Sequence, residues 1–525
     1  MKKILHVIVW TAFMAGVVHA ELDMLSIFSD HMVLQANQPA PVWGRANPGA
    51  AVCVEFARQK KQTTADEKGK WRIDLDPLEV CSEARQLRIS SGSDVKVISD
   101  VLVGEVWLCS GQSNMHYGLN GLATQNGKPT RIADEILKAD YPLIRQMAVY
   151  SGLAPDGPQD RVGGLWQVCS PQTAGGFSGT AYFFALELFR DLNVPVGIIR
   201  SAWSGSPIQP WTPREALLNH EAGLAYVEQR ERDEAEFSRD AGLAKVERWK
   251  QENPGKKVPG SIEMLGKKPS ETSRYPSTLY NAMIAPLIPY AIRGAIWYQG
   301  ESNDQPDQSR SYAQTFPSMI QAWRAYWGQG DFPFYFVQLA NFRTPSERPV
   351  DSDTWANVRE SQLKTLSLPH TGMAVAIDIG EEKDVHPRNK IEVGRRLALW
   401  ALAKEYGKDV VCSGPLYDRA QFDGNRVVIH FRETGGGLMV GRKENVWAPV
   451  QKSDEPLKRF QICGEDQKWV WADARISGRD TVDIWSDSID VPVAVRYAWA
   501  SNPEGCNLYN AAGLPASPFR TDDEE

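Results

Sequence analysis

Two residues in this chain carry the chemistry of a hydrolytic pair. Ser113 stands in a Gly111-Gln-Ser-Asn turn after the apolar run Val101–Cys109, and His386 in the loop Asp384-Val-His-Pro. A serine hydroxyl is a poor nucleophile until a base accepts its proton and N–H groups await the oxyanion. The glycine of the turn lets backbone approach a substrate, and the turn brings its own N–H. A histidine is poised near neutral pH, and a carboxylate two residues away can orient its ring and favour the imidazolium. Six histidines follow residue 20, at 31, 116, 220, 370, 386 and 430. His386 best combines a loop position with a close acid, whereas His116 stands too near the helix of Ser113 to point back at it. Read alone, Ser113 is more often a helix cap and His386 an exposed loop side chain. Gly111-Gln-Ser-Asn also departs from the G-x-S-x-G elbow, which argues against an α/β-hydrolase fold.

Positioning such a pair requires strands that end at one edge. Five apolar runs, Val101–Cys109, Val194–Ile199, Ile292–Trp297, Phe332–Leu339 and Met373–Ile377, are continuous rather than alternating. That pattern predicts strands covered on both faces. Amphipathic stretches at Thr180–Leu192, Ser311–Trp327, Trp355–Leu366 and about 390–406 alternate with them. The order predicts a three-layer α/β domain with a mostly parallel sheet. Ligands bind beyond the carboxyl ends of such strands. There the sequence places the serine turn, Ser204-Gly-Ser, Gln299-Gly-Glu-Ser-Asn, Asn341, and Asp378-Ile-Gly followed by the His386 loop.

Domain boundaries follow from composition. Short strand patterns between turns predict a β-sandwich-like domain over 21–97 and a β-rich region over 409–525, flanking the α/β domain of 98–408. A charged helical insert occupies about 214–270 and reads as a solvated face or lid. Residues 1–20, with Lys2 and Lys3 before the apolar run Ile4–Val18 and then Val-His-Ala, read as a cleaved signal peptide. Export to the periplasm or beyond is expected, with no membrane span after its removal. Seven cysteines in such a chain permit disulfides, with Cys53–Cys81 and Cys463–Cys506 as plausible pairs. Their spacing matches no metal pattern, so no metal or other cofactor is expected. The net charge of −7 without a basic run speaks against nucleic acid as a partner, and oligomeric state is not legible.

With Gly111-Gln-Ser-Asn-Met, Trp297-Tyr-Gln-Gly-Glu-Ser-Asn and Asp384-Val-His-Pro-Arg-Asn-Lys in hand, the chain resembles the bacterial sialate O-acetylesterases. These belong to the carbohydrate-esterase branch of the SGNH (GDSL-like) hydrolases. Ordered matches run from Phe28-Ser-Asp-His-Met-Val-Leu-Gln to Asn507-Leu-Tyr-Asn-Ala-Ala-Gly-Leu-Pro-Ala. The resemblance implies an SGNH-type body with Ser113 as nucleophile, His386 as base and Asp384 as acid. It implies an oxyanion site from the Ser113 amide, the Gly205 amide and an amide side chain, Gln299 or alternatively Asn303. Glu301 would hold that loop beside Asn114, and Arg359 with Gln362 would line the pocket. Two positions depart from the family pattern. Ser204-Gly205-Ser206 stands where relatives often carry Gly-Gly-Thr, and Lys383 occupies the usual place of the acid, leaving a Ser–His pair oriented by backbone as the alternative.

The expected reaction is removal of O-acetyl groups from sialic acid through an acetyl-enzyme. An acetyl-xylan or other polysaccharide O-acetylesterase is the alternative, and a sialate substrate would call for a cation, Arg359 or Arg343, to meet its carboxylate. A glycoside hydrolase using paired carboxylates such as Glu301 and Glu360, or a non-catalytic carbohydrate-binding protein, leaves the serine turn unexplained.

Overall fold

In the computed structural model, which describes residues 22–125 and 127–522, one strand organises the molecule. Strand β1 (Asp94–Gly111) is 18 residues long. Its first half alternates in exposure and pairs antiparallel with Cys81–Ser91, while its second half is wholly buried. That buried half lies between two parallel neighbours, which is why Val101–Cys109 reads as unbroken apolar sequence. The leader read from the sequence lies outside the described residues. Among the described residues, no helix is long and apolar enough to cross a membrane.

The strands beside β1 are β2 (Tyr141–Val149), β3 (Gly164–Cys169), β4 (Val196–Ala202), β5 (Gly294–Tyr298), β6 (Phe334–Gln338) and β7 (Thr371–Val375), in the order β3-β2-β4-β1-β5-β6-β7. All pairings are parallel except the edge pair β2–β3, so the sheet is mixed. Five of these strands match the five apolar runs. The other two, β2 and β3, carry polar residues: Arg145 in β2 is buried because its guanidinium reaches Asp100 Oδ1 at 2.9 Å and the Asp100 carbonyl.

Four long helices pack on the sheet or on one another. They are α2 (Gly179–Leu192), α3 (Pro306–Trp327), α4 (Thr354–Lys364) and α5 (Lys390–Lys404); α1 is the single turn Ser113–His116. Local sequence sets their ends. Ser178, Asp353 and Asn389 cap α2, α4 and α5 by accepting a backbone N–H, and Asn193 and Gly328 end α2 and α3 in the left-handed region. Helices α2 and α5 approach so closely that a Cβ on Gly394 would sit 2.5 Å from the Phe183 Cβ. The charged insert forms two exposed helices, Glu221–Ala235 and Arg239–Glu252.

β-rich sheets occur at both ends. Ala40–Arg45 and Lys70–Leu75 pair antiparallel near the amino end. After α5, three small antiparallel sheets use strands between Leu416 and Arg520. Buried charges join this last region to the body. Asp378, just past β7, binds Arg396 of α5 through both oxygens at 2.6 and 2.9 Å, and Lys443 at 3.5 Å.

All seven cysteines are free thiols, so the two pairings considered from the sequence do not form. Cys53 pairs in register with Ser90, nine residues along the strand from Cys81, on the order of 25–30 Å away at strand spacing. Cys463 opposes Ala494 in register, while Cys506 lies at the side chain of Tyr497, whose strand partner is Phe460.

Burial alone would raise the Asp378 carboxyl, but Arg396 and Lys443 prevail and hold it down to about 2. Asp378→Ala leaves Lys443 without its paired anion and Arg396 with Glu392 alone at 3.4 Å, and should cost about 3–5 kcal/mol in denaturant-induced unfolding. An unchanged midpoint would contradict this role for the cluster.

Candidate active site

The carboxyl ends of β1, β4 and β5 build one side of the site. Gly111 ends β1 with φ at +136°, and a Cβ there would lie 2.2 Å from the Tyr298 carbonyl oxygen on β5, so glycine is required. The chain then turns into α1, whose first residue is Ser113, only 6% exposed. The loop after β4 leaves beside it: the Trp203 N–H donates to the Gly111 carbonyl at 3.1 Å. Gly205, two residues on, has φ at +73° and faces open space. Among the described residues, neither the Ser113 nor the Gly205 amide N–H has a hydrogen-bond acceptor.

The other side is the loop between β7 and α5. His386 Nε2 lies 2.9 Å from Ser113 Oγ, a contact between residues 273 positions apart. The opposite ring nitrogen, Nδ1, is 3.3 Å from Asp384 Oδ1, which also accepts the His386 backbone N–H at 2.9 Å. Asp384 is steadied in turn by Arg388 at 3.4 Å, and Arg388 by Glu381 at 2.7 Å. The Tyr117 ring packs on the imidazole at 4.6 Å between centroids. Burial lowers the His386 pKa, with Asp384 opposing and Lys390 and Arg388 adding to the depression. A neutral imidazole within hydrogen-bond reach of a hydroxyl can accept its proton. His116, the rival base, is tied instead to the Ala202 carbonyl at 3.0 Å.

Beneath the pair lies a polar layer. Asn114 Nδ2 donates to Glu301 Oε1 at 2.5 Å and to the Val385 carbonyl at 3.0 Å. Its Oδ1 accepts from Lys390 Nζ at 2.6 Å, and the same ammonium donates to the Pro387 carbonyl at 2.7 Å. Burial raises the Glu301 carboxyl and pushes Lys390 down to about 7. Lys390 appears in the sequence only as the end of the Asp384–Lys390 motif; its inward course is set by α5 packing on α2, which one sequence does not reveal.

Gln299 is fully buried. Its Nε2 lies near Gln112 Oε1 (3.1 Å), the Ser206 carbonyl (3.2 Å) and Asn303 Oδ1 (2.7 Å), and its Oε1 accepts from the Tyr312 hydroxyl at 2.9 Å. Asn303 also accepts the Ile208 N–H at 2.9 Å and donates to Gln209 Oε1 at 3.2 Å. Both amides therefore stitch the β1, β4 and β5 loops together. Gln362 holds the Gln299 carbonyl and the Leu339 N–H. Arg359 has no exposed surface, and its guanidinium donates to the carbonyls of Leu339, Ala340, Ala500 and Ser501. It braces loops and presents nothing to a ligand. Glu360 pairs with Lys364 along α4, while Glu301 serves Asn114, so these two carboxylates have separate tasks. Among the described residues, no group of three or more His, Cys, Asp or Glu is arranged to hold a metal ion.

Asn303→Ala would strand the Ile208 N–H and Gln209 Oε1 in the interior, while Gln299 Nε2 keeps Gln112 Oε1 and the Ser206 carbonyl. Each unsatisfied group costs about 1–3 kcal/mol, so urea unfolding should show a loss of at least that size; a wild-type midpoint would show the network to be dispensable.

Comparison with known proteins points the same way as the geometry. Residues 242–403 match the family described as "Carbohydrate esterase, sialic acid-specific acetylesterase". The mouse sialate O-acetylesterase is 30% identical, over 94% of this chain and 93% of its own length. The human one is 29% identical, over 98% and 95%. A carbohydrate acetylesterase from Xanthomonas citri, known by crystal structure, is 36% identical with a TM-score of 0.79, covering 96% of this chain and 100% of its own. A serine, a histidine and a carboxylate in contact at the sheet edge, within a chain related over nearly its full length to these enzymes, make it an esterase of the sialate O-acetylesterase family.

Proposed function

We propose that the chain removes O-acetyl groups from sialic acid by acyl transfer through Ser113. The observation that carries this reading is the 2.9 Å contact between Ser113 Oγ and His386 Nε2, with Asp384 behind the ring. His386 takes the hydroxyl proton as Ser113 attacks the acetyl carbonyl, and Asp384 holds the tautomer that leaves Nε2 free to accept it. The Ser113 and Gly205 amides, free of other acceptors, hold the oxyanion. Gln299 stands behind them, fixing Gln112 and the Ser206 carbonyl. His386 then protonates the departing sugar alcohol, and water attacks the acetyl-enzyme by the reverse sequence.

The relatives' names favour sialate over xylan. With Arg359 enclosed, Arg343 is the cation left to meet a sialate carboxylate; it is half exposed, pairs with Asp304, and donates its backbone N–H to the Glu382 carbonyl. On the same reading the sheet and its helices are the three-layer body of an SGNH hydrolase over 98–408, the β-rich stretches 21–97 and 409–525 are its flanking domains, and residues 1–20 direct export to the periplasm or the medium.

Ser113→Ala and His386→Ala should each lower kcat for acetyl release by roughly 10⁴- to 10⁶-fold. Undiminished acetyl release by Ser113→Ala would refute the assignment. Release from 9-O-acetylated sialic acid should exceed that from acetylated xylan; the opposite order would move the chain to the polysaccharide reading. Because burial lowers the His386 pKa and the neutral ring is the active form, kcat/KM should rise through a pKa below the ordinary histidine value of about 6.5. An acid limb centred above that value would contradict the proposed base.

A further inference from the structure

Lys390 is an unusual residue for its place. It is fully buried, and lysine is rarely buried without a reason. It is also the first residue of α5, the positive end of the helix dipole, where a cation is disfavoured. Its stem packs against the first residue of α2, where a Cβ on Gly179 would lie 3.4 Å from Lys390 Cγ. An apolar side chain would fill such a position at lower cost.

What the ammonium does there is specific. It donates to Asn114, the neighbour of Ser113, and to the carbonyl of Pro387, the neighbour of His386. Asn114 donates to the carbonyl of Val385, on the other side of His386. The backbone on both flanks of the histidine is thus tied to the residue that follows the serine. We propose that Lys390 is a positioning residue of the esterase site: it fixes the separation of the Ser113 and His386 side chains and sets a cation beside the imidazole. This inference rests on the proposed serine–histidine chemistry.

The charges around the ring fit that role. His386 faces Asp384, Arg388 and Glu381 from its own loop, Lys390 from α5, the Tyr117 ring from the segment after α1, and Glu301 through Asn114. Lys390 faces Glu301, Glu381, Asp384 and Arg388, and the Tyr298 ring at 5.2 Å. Burial holds its pKa down to about 7. In the acid range where His386 titrates, Lys390 is therefore charged and disfavours a second cation on the ring.

The test uses the full chain and a small acetyl ester, with active enzyme counted by a serine-directed fluorophosphonate. Lys390→Met and Lys390→Gln both remove the charge, and the second keeps a donor for the Pro387 carbonyl. Lys390→Met should lose roughly 10- to 100-fold in kcat/KM, and its acid limb should move to higher pH. Lys390→Gln should recover part of the rate while keeping the displaced limb. Wild-type limbs in both folded variants would overturn the proposal, and so would failure of both to fold, which assigns Lys390 to stability. Ser113→Ala in the same assay separates the two levels. If it still hydrolyses the ester, the serine–histidine reading fails; if it is inactive while both Lys390 variants match wild type, only this inference does.

Discussion

A charge taken out of water must find its partner inside the protein, and that constraint shapes this molecule from its site outwards. Glu105, in the middle of β1, is met by Arg293 at 2.7 and 3.1 Å and by the Tyr406 hydroxyl at 2.9 Å. Asp378 is met by Arg396 and Lys443, and the buried Arg359 by four carbonyls. Each of these contacts joins segments far apart in sequence, and each fails if one element shifts by the length of a hydrogen bond. A burial that would be a liability in isolation thus enforces register among strands, helices and the carboxyl-terminal sheets.

The same logic operates at the site on a finer scale. Asn114 accepts from a cation and donates to an acid, so a neutral carboxamide separates Lys390 from Glu301. The serine turn and the histidine loop are then not two flexible segments meeting by chance. They share a buried floor, and the 2.9 Å contact above it is set from below.

Much of this was legible in the sequence. Continuous apolar runs marked five of the seven strands of the central path, because a strand covered on both faces has little room for polar side chains. The polar residues beyond those runs located the site edge, and Ser113, His386 and Asp384 were found there by type and spacing. What the sequence pattern does not mark is polar and buried. Strand β2 hid behind Arg145 and Gln146, whose burial depends on Asp100 and on the loop before α2. The strand Gln59–Thr64 has no apolar residue to mark it. Arg359 reads as a pocket cation because one sequence does not show that backbone carbonyls surround it. Lys390 was masked likewise: a lysine at a helix start reads as surface until the helix packed against it is known.

Strand β1 has a consequence for any attempt to pare the protein down. It crosses the 97/98 change in sequence pattern without a break, and Leu102–Gly104 takes its parallel partner from Val33–Gln35. Gln35 reaches further, accepting the Val106 N–H at 2.7 Å and donating to Glu105 at 3.2 Å. Removing the amino-terminal β region would uncover the backbone of the very strand whose far end presents the serine. The two parts share one spine and so gain or lose their order together; the front of this protein is a foundation for the serine turn, 78 residues on from Gln35 to Ser113.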